Sequence, residues 1–300
     1  MPLIFTPPPG WPTPPEGFAP PPGWQPDPSW PPPPPGWNFW QKAKHVWALD
    51  KAVAESPDQG WSIRLGLLPM VALIVVLVAE WGISRKWPDW RPSKLTRWFL
   101  LPVEVLHYAA AVAVILVLGR EVVRRSGGWP AAFGWGKVKL IDPVIGLAGA
   151  VVEFIGRIIV SIVLVIAIPA LRNKAQANIS LHDRSTTSII LLLILAVLIA
   201  PPVEELIFRG VMLRAFMKRL PRTRLGPFWP AALLSSALFA GLHLYEVSGV
   251  PAMVLLFASI FSFAIGQCLL VRWTGRLATS ITAHAVSNLG AALITLAANR

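Results

Sequence analysis

Long apolar runs separated by short polar and basic loops fill the chain from Trp61 onward. A helix needs about 20 apolar residues to cross the hydrocarbon core of a bilayer, and each run is close to that length. The pattern predicts an all-α, polytopic membrane helix bundle. The predicted spans are 64–83, 98–119, 144–170, 186–219, 229–246, 250–272 and 277–298.

The fourth run leaves the number of spans open. Residues 186–219 form a longer segment than one upright crossing needs, and Pro201-Pro202 interrupts it. Proline lacks the main-chain N–H that a helix uses and clashes with the preceding turn, so it kinks or ends the helix. The run is therefore either one kinked span or two short spans, and the bundle has seven or eight spans in total.

The first 60 residues have a different composition from the rest of the chain. The first 40 contain 17 of the 31 prolines, and a Pro-Pro-Gly-Trp repeat places Gly10, Gly23 and Gly36 at intervals of 13 residues. Few main-chain donors and fixed φ angles favour extended polyproline II over a packed core. We expect a disordered Pro/Trp-rich N-terminal tail and a polar linker over residues 1–60. In a second interpretation, the Trp side chains anchor the tail in an aromatic-lined groove of a partner.

Charge and composition agree with a membrane location. Hydrophobic residues make up 54% of the chain and charged residues only 14%, whereas soluble domains carry about 25% charged residues. The net charge is +12, but the basic residues lie mainly between apolar runs, as the positive-inside rule expects. This rule makes the basic segment 213–224 cytoplasmic and the 246–249 turn external. No recognition motif accompanies the charge, so we expect no nucleic-acid partner.

Ionisable residues inside apolar runs are candidates for function, because charge is costly in a bilayer. Structural explanations are available for those in the first half of the chain. Glu153 and Arg157 are four residues apart and are predicted to form an intrahelical ion pair. The other three are Glu80, Glu104 and His107.

Three motifs lie in order along the chain, on three of the apolar runs of the second half. Glu205 and Arg209 are four residues apart, so the arginine can neutralise and orient that carboxylate. Glu204 points about 100° away on the helix and is free to face a cavity. Packing alone does not explain three sets of polar groups in hydrocarbon, where each is costly to bury. The motifs are E-E-x-x-x-R at Glu204, Glu205 and Arg209, F-x-x-x-H at Phe239 and His243, and H-x-x-x-N at His284 and Asn288.

These residue types leave three interpretations open. Hydrolysis of an amide needs a base near the attacking water and donors near the developing negative charge, and a carboxylate with imidazole and amide groups supplies both. Two histidines and a glutamate could alternatively hold zinc, although the H-E-x-x-H pattern is absent. A membrane scaffold or regulator that uses the motifs for packing or partner binding is the third interpretation. The only cysteine, Cys268, belongs to no motif.

The segments EELIFR (204–209), FAGLH (239–243) and HAVSN (284–288) resemble the three motifs of the CAAX-protease and bacteriocin-processing family, also called Abi. This family of glutamate-dependent intramembrane endopeptidases includes the type II CAAX prenyl endopeptidase. The resemblance covers residues 186–300. It divides the chain into the tail and linker over 1–60, N-terminal transmembrane helices over 61–185 and a catalytic core over 186–300.

The resemblance implies a role for each motif residue. Glu204 would act as the general base that activates water, and His243 would help to position that water. His284 and Asn288 would stabilise the oxyanion. Glu205, Arg209 and Phe239 would support the site. No metal or other cofactor is implied. The expected partners are membrane lipid and a membrane-associated protein or peptide substrate, and the expected location is a bacterial plasma membrane.

Overall fold

The computed structural model describes residues 3–15, 18, 20–21, 23–42, 47–86, 97–135, 138–172, 186–221, 223–224 and 226–298. The chain forms two compact units, Met1–Val46 and Trp47–Arg300. The first contains the antiparallel strands β1 (Leu3–Phe5) and β2 (Trp40–Lys42).

The second unit is built from helices. Two segments have π-helical geometry, and we call Ile194–Ile199 the first π segment and Leu206–Met212 the second π segment. Short 3₁₀ turns cover Pro169–Leu171 and Leu244–Glu246. The α-helices are α1 (Ala48–Glu55), α2 (Ile63–Lys86), α3 (Arg97–Leu118), α4 (Arg120–Arg125), α5 (Trp129–Phe133), α6 (Asp142–Ala167), α7 (Thr186–Leu193), α8 (Ala200–Glu205), α9 (Leu213–Arg219), α10 (Phe228–Leu242), α11 (Val250–Thr274) and α12 (Leu277–Ala298).

The Pro/Trp-rich unit is more ordered than its composition predicts. The main-chain N–H groups of three tryptophans donate to carbonyl groups three residues earlier, and the glycine before each tryptophan has a positive φ. These residues are Trp11, Trp24 and Trp37. This is the geometry of a type II turn, which requires glycine at its third position.

Aromatic rings of this unit also pack on one another. The Trp11 ring centre lies 5.2 Å from that of Trp30, and Phe5 stacks on Phe39 at 5.9 Å. The prediction of a disordered tail is therefore not confirmed. The tryptophans that were candidate anchors for a partner contact residues of their own unit, so the partner interpretation gains no support from them.

The long fourth segment runs as one span with altered helical geometry. Helices α7, α8 and α9 and the two π segments follow one another without a break, and the membrane-compatible part is Ile189–Arg219. Pro201 and Pro202 lie in the first turn of α8, directly after the first π segment. Because these prolines cannot donate, the preceding turn widens rather than stops the helix.

Five described helices are long and apolar enough to cross a membrane, in addition to the shorter apolar segments Ile63–Ala79 and Val105–Leu118. The chain is thus an integral membrane protein, and the predicted count of seven or eight spans is not confirmed. The five candidate spans are Asp142–Ala167, Ile189–Arg219, Phe228–Glu246, Val250–Thr274 and Leu277–Ala297.

The centre of the bundle is the segment 206–217, in which every residue is buried. Helix α6, by contrast, packs on α11 and α12 and exposes a broad apolar face that suits contact with lipid. Arg276 binds both carboxylate oxygens of Asp142 through Nε at 2.8 and 3.1 Å. Since Arg276 precedes α12 and Asp142 begins α6, these helices start on the same side of the bundle.

Contacts at the end of the fourth span join α9 to the loop before α2. Lys218 Nζ donates to Asp58 Oδ1 at 3.0 Å, and Arg219 donates to the main-chain carbonyl groups of Trp61 and Asp58. The hydrogen bond and charge of Lys218 hold the pKa of the exposed Asp58 carboxyl below its usual value.

The predicted ion pair between Glu153 and Arg157 is wrong. Glu153 Oε2 instead accepts from Gln267 Nε2 at 3.0 Å, and Arg157 Nε donates to Ser259 Oγ at 2.9 Å. Both partners are on α11, which lies close enough along α6 to compete with the intrahelical pair.

Candidate active site

The two adjacent glutamates at the end of α8 have different environments. Glu205 is fully buried, and its Oε1 accepts from Arg209 Nη1 at 3.0 Å. Arg209, in the second π segment, is only 1% exposed and also donates to the carbonyl of Ala264 at 3.1 Å. The spacing of four residues correctly predicted this pair. Glu205 is thus held by its neighbours and has no free access to a substrate.

Glu204 is the accessible member of the pair, with 15% of its side chain exposed. Its Oε1 accepts a hydrogen bond of 2.8 Å from the hydroxyl of Tyr108 on α3. The carboxylate lines a cavity of about 130 Å³ that is also lined by His107, Tyr108, His243, Tyr245 and Glu246, together with apolar residues.

His284 of α12 lies between the two carboxylates. Its Nδ1 is 3.0 Å from Glu205 Oε1, and its Nε2 is 3.6 Å from Glu204 Oε2. With Glu205 ionised by its pairing with Arg209, Nδ1 carries the proton and donates to Glu205. The second nitrogen therefore faces Glu204 at a distance slightly beyond a direct hydrogen bond. One buried imidazole thus joins the fixed carboxylate to the accessible one.

His243 forms the C-terminal cap of α10 and lines the same cavity as Glu204. Its Nδ1 lies 2.8 Å from the carbonyl oxygen of Phe239. A carbonyl oxygen only accepts, so Nδ1 carries a proton. In the neutral ring this assignment leaves Nε2 as an acceptor. The F-x-x-x-H spacing thus has a specific local consequence, because the main chain of Phe239 fixes the tautomer and orientation of His243.

The Phe239 ring connects the three motifs. Its centre lies 4.7 Å from the His243 ring and 5.9 Å from the His284 ring. The Arg209 guanidinium carbon lies 4.8 Å from the same centre, which is within the range of a cation–π contact. Phe263 contacts the His284 ring at 5.0 Å. These rings restrict both imidazoles and stabilise the buried cation.

Asn288 is positioned by the altered helix on the facing span. Its Nδ2 donates to the carbonyl of Ala196 at 2.8 Å. At the end of the first π segment, the Ala200 N–H donates to Leu195 O, five residues earlier. In that register Ala196 O would need the N–H of Pro201, which proline lacks. The Asn288 amide supplies the missing donor, and its oxyanion role remains a prediction.

Sequence reasoning missed Tyr108, which holds the Glu204 carboxylate. The signal available in the sequence was the rarity of tyrosine, since the chain contains only two. The structure places both of them, Tyr108 and Tyr245, in the lining of the Glu204 cavity. The side chains of Glu80 and Glu104 lie outside the described residues. Within the described part of the chain, no group of three or more His, Cys, Asp or Glu side chains is arranged to hold a metal ion.

Comparison with known families supports the resemblance of the motifs. Residues 186–290 match the family described as Rce1-like, type II CAAX prenyl endopeptidase Rce1-like. The match includes all three motifs and confirms the predicted resemblance over that segment. It indicates a membrane endopeptidase. No curated protein and no solved structure matches the chain.

Proposed function

We propose that this chain is an intramembrane endopeptidase in which Glu204 activates the attacking water. The observation that carries the proposal is the contrast between two adjacent carboxylates. Glu205 is fully buried and bound by Arg209 and His284, while Glu204 lines a cavity with His243 and receives a hydrogen bond from Tyr108. One carboxylate maintains the site, and the other is available for proton transfer.

The cavity suits a water molecule. Its volume of about 130 Å³ and its polar lining exceed what one water requires. Glu204 accepts the proton of this water as its oxygen attacks the peptide carbonyl, and the unprotonated Nε2 of His243 accepts its second hydrogen bond. The protonated Glu204 then gives this proton to the amide nitrogen as the C–N bond breaks, which releases the amine and regenerates the carboxylate. Tyr108 holds the Glu204 carboxylate in one orientation during the transfer.

The negative charge that develops on the carbonyl oxygen needs donors on another face of the cavity. We assign this role to Asn288 and to the imidazolium form of His284, which share one face of α12. Because His284 donates from Nδ1 to Glu205, only that form has a second proton, on Nε2, to donate to the oxyanion. The Asn288 NH₂ group has two N–H donors, so one can keep the hydrogen bond to Ala196 while the other donates to the oxyanion.

The substrate that we propose is a membrane-associated protein or peptide whose scissile bond reaches the cavity among the spans. The name of the matching family refers to prenylated CAAX proteins. For this chain the chemistry of the site defines the reaction, which is amide hydrolysis, and leaves the substrate to be identified by experiment.

Comparison of wild-type cells with a Glu204→Gln strain by proteomics of the membrane fraction tests the proposal. Glutamine keeps the shape and the hydrogen bond from Tyr108 but cannot accept the proton. We expect an uncut membrane protein or peptide to accumulate in the variant. Identical peptide termini in both strains, with the protein present at equal levels, would refute the proposal.

A further inference from the structure

Arg157 of α6 is a charged residue in a candidate span. Its charge interacts with that of Glu153, one turn earlier, but Glu153 is hydrogen-bonded to Gln267 and makes no direct contact with the guanidinium. A guanidinium carries five N–H donors. Among the described residues, Arg157 makes a single hydrogen bond, from Nε to Ser259, and its carbon lies 5.9 Å from the Phe263 ring centre. Both terminal nitrogens therefore have no acceptor in the described part of the chain. Both terminal nitrogens are thus available to an acceptor from outside the protein.

The surroundings of Arg157 form a site for such an acceptor. Arg157 lines a groove of about 390 Å³ between α6 and α12, whose other polar lining groups are the hydroxyls of Ser161, Ser259, Ser287 and Thr295. Thr295 donates to the Ala291 carbonyl within α12. The hydroxyls of Ser161 and Ser287 make no hydrogen bond within the described residues and are free to bind a ligand.

The depth of Arg157 in the span restricts the kind of anion. Arg157 lies ten residues before the end of α6 at Ala167, a distance of about 15 Å at the rise of an α-helix. The hydrocarbon core is about 30 Å thick, which puts this residue near its centre. Lipid phosphates lie outside that core, farther away than an arginine side chain reaches. The anion must therefore belong to a molecule that carries its charge into the membrane.

We propose that the groove between α6 and α12 is a binding site for the carboxylate of a membrane-embedded ligand, with Arg157 as its main contact. A planar guanidinium binds a carboxylate through two parallel hydrogen bonds, and Ser161 and Ser287 supply further donors. The apolar residues Phe154, Ile158, Ile162 and Ile294 line the remainder of the groove and suit an apolar chain. Two sources carry such a group, which are the C-terminus of a hydrophobic peptide and a fatty acid.

The groove lies next to the candidate active site. The Phe263 ring centre lies 5.9 Å from the guanidinium carbon of Arg157 and 5.0 Å from the ring centre of His284. A peptide carboxylate in the groove would thus be separated from the His284 imidazole by one aromatic ring. This link to peptide cleavage rests on the proposed function, whereas the carboxylate site itself does not.

The test measures binding to the full chain in nanodiscs of phosphatidylcholine. One pair of probes is a fluorescent apolar peptide with a free C-terminus and the same peptide with a C-terminal amide. The other pair is palmitic acid and hexadecanol. All measurements use Glu204→Gln protein, so that cleavage cannot consume the peptide, and are repeated with the wild-type chain for the lipid pair. Binding is then measured whether or not the proposed function is correct.

We expect one acid to bind about 10- to 100-fold more tightly than its uncharged partner, because hydrogen bonds between charged groups are worth about 1.5–3 kcal/mol. The pair that shows the preference identifies the source. Arg157→Gln should reduce the ratio of the two affinities, acid over uncharged partner, to within about twofold. Arg157→Lys should retain part of this preference. Arg124→Gln removes the same charge from an exposed helix and should leave the ratio unchanged.

If Arg157→Gln does not fold, Ser287→Ala still tests the site, with an expected decrease of about 2- to 10-fold in the ratio. The proposal is overturned if neither acid is preferred, or if the preference persists in Arg157→Gln. It is also overturned if phosphatidylglycerol in the nanodisc abolishes the preference, because the groove would then bind the anionic headgroup of a bulk lipid.

Discussion

Glu205→Gln should destabilise the protein much more than the same change at the adjacent Glu204. Glu205 is fully buried, and its Oε1 lies 3.0 Å from both Arg209 Nη1 and His284 Nδ1. Glutamine keeps an acceptor oxygen but removes the negative charge. Arg209, which is 1% exposed, would then be a buried cation without a counter-ion.

The size of the effect follows from these contacts. Removal of one member of a buried ion pair costs about 3–5 kcal/mol. The contacts of Arg209 with the Phe239 ring and the Ala264 carbonyl remain, so we expect the lower end of that range, roughly 3 kcal/mol. For a domain of this size, this corresponds to a decrease of roughly 6–12 °C in the melting temperature.

The assay is thermal unfolding of purified protein in detergent, with Glu204→Gln as the matched control. Glu204 is partly exposed and is bonded to a tyrosine rather than to a buried cation, so its variant should unfold within about 2 °C of the wild type, as for most substitutions away from buried charges. Combining Glu205→Gln with Arg209→Met should restore much of the loss, since both charges are then absent. A Glu205→Gln protein as stable as the control would refute this account of the ion pair.

Four further outcomes are expected. Glu204→Gln should reduce peptide cleavage by about 10²–10⁴-fold without loss of folded protein, and normal cleavage by this variant would exclude Glu204 as the base. Asn288→Ala should reduce turnover by about 10²–10³-fold with a smaller effect on substrate binding; a change confined to KM would contradict an oxyanion role. Elemental analysis should find no stoichiometric zinc, and chelators should not inhibit, whereas one zinc per chain lost together with activity in His243→Ala would favour a metallopeptidase. Deletion of residues 1–40 should leave the melting temperature of the helical unit unchanged, and a large decrease would show that the tail stabilises that unit.

Local sequence pattern predicted the elements that depend on neighbours along the chain. Apolar runs of membrane-spanning length predicted the five long apolar helices of the second unit, and the spacing of four residues predicted the pair of Glu205 with Arg209. The same rule failed for Glu153 and Arg157. There, side chains of α11 lie within hydrogen-bond distance of both residues, and a spacing rule cannot weigh a partner on another helix.

The Pro/Trp-rich segment shows a second kind of failure. Its composition indicates an extended chain, because proline removes donors and restricts φ. The repeat at intervals of 13 residues nevertheless turns the chain at each glycine and brings the aromatic rings together. Composition describes the average tendency of a segment, whereas the regular spacing of turns determines which rings meet.

The sequence by itself determined that the protein is a helical membrane protein, and it identified the three motifs that carry the polar residues of the site. Only the tertiary structure decided that Tyr108, 96 residues away, donates to Glu204, and that His284 lies between Glu204 and Glu205. It also decided that the Asn288 amide donates to the carbonyl of Ala196, which Pro201 cannot do because it has no main-chain N–H. The physical reason is that a periodic pattern records which face of a helix a residue occupies, while proton transfer depends on contacts between helices, and these are set by how the faces pack in space.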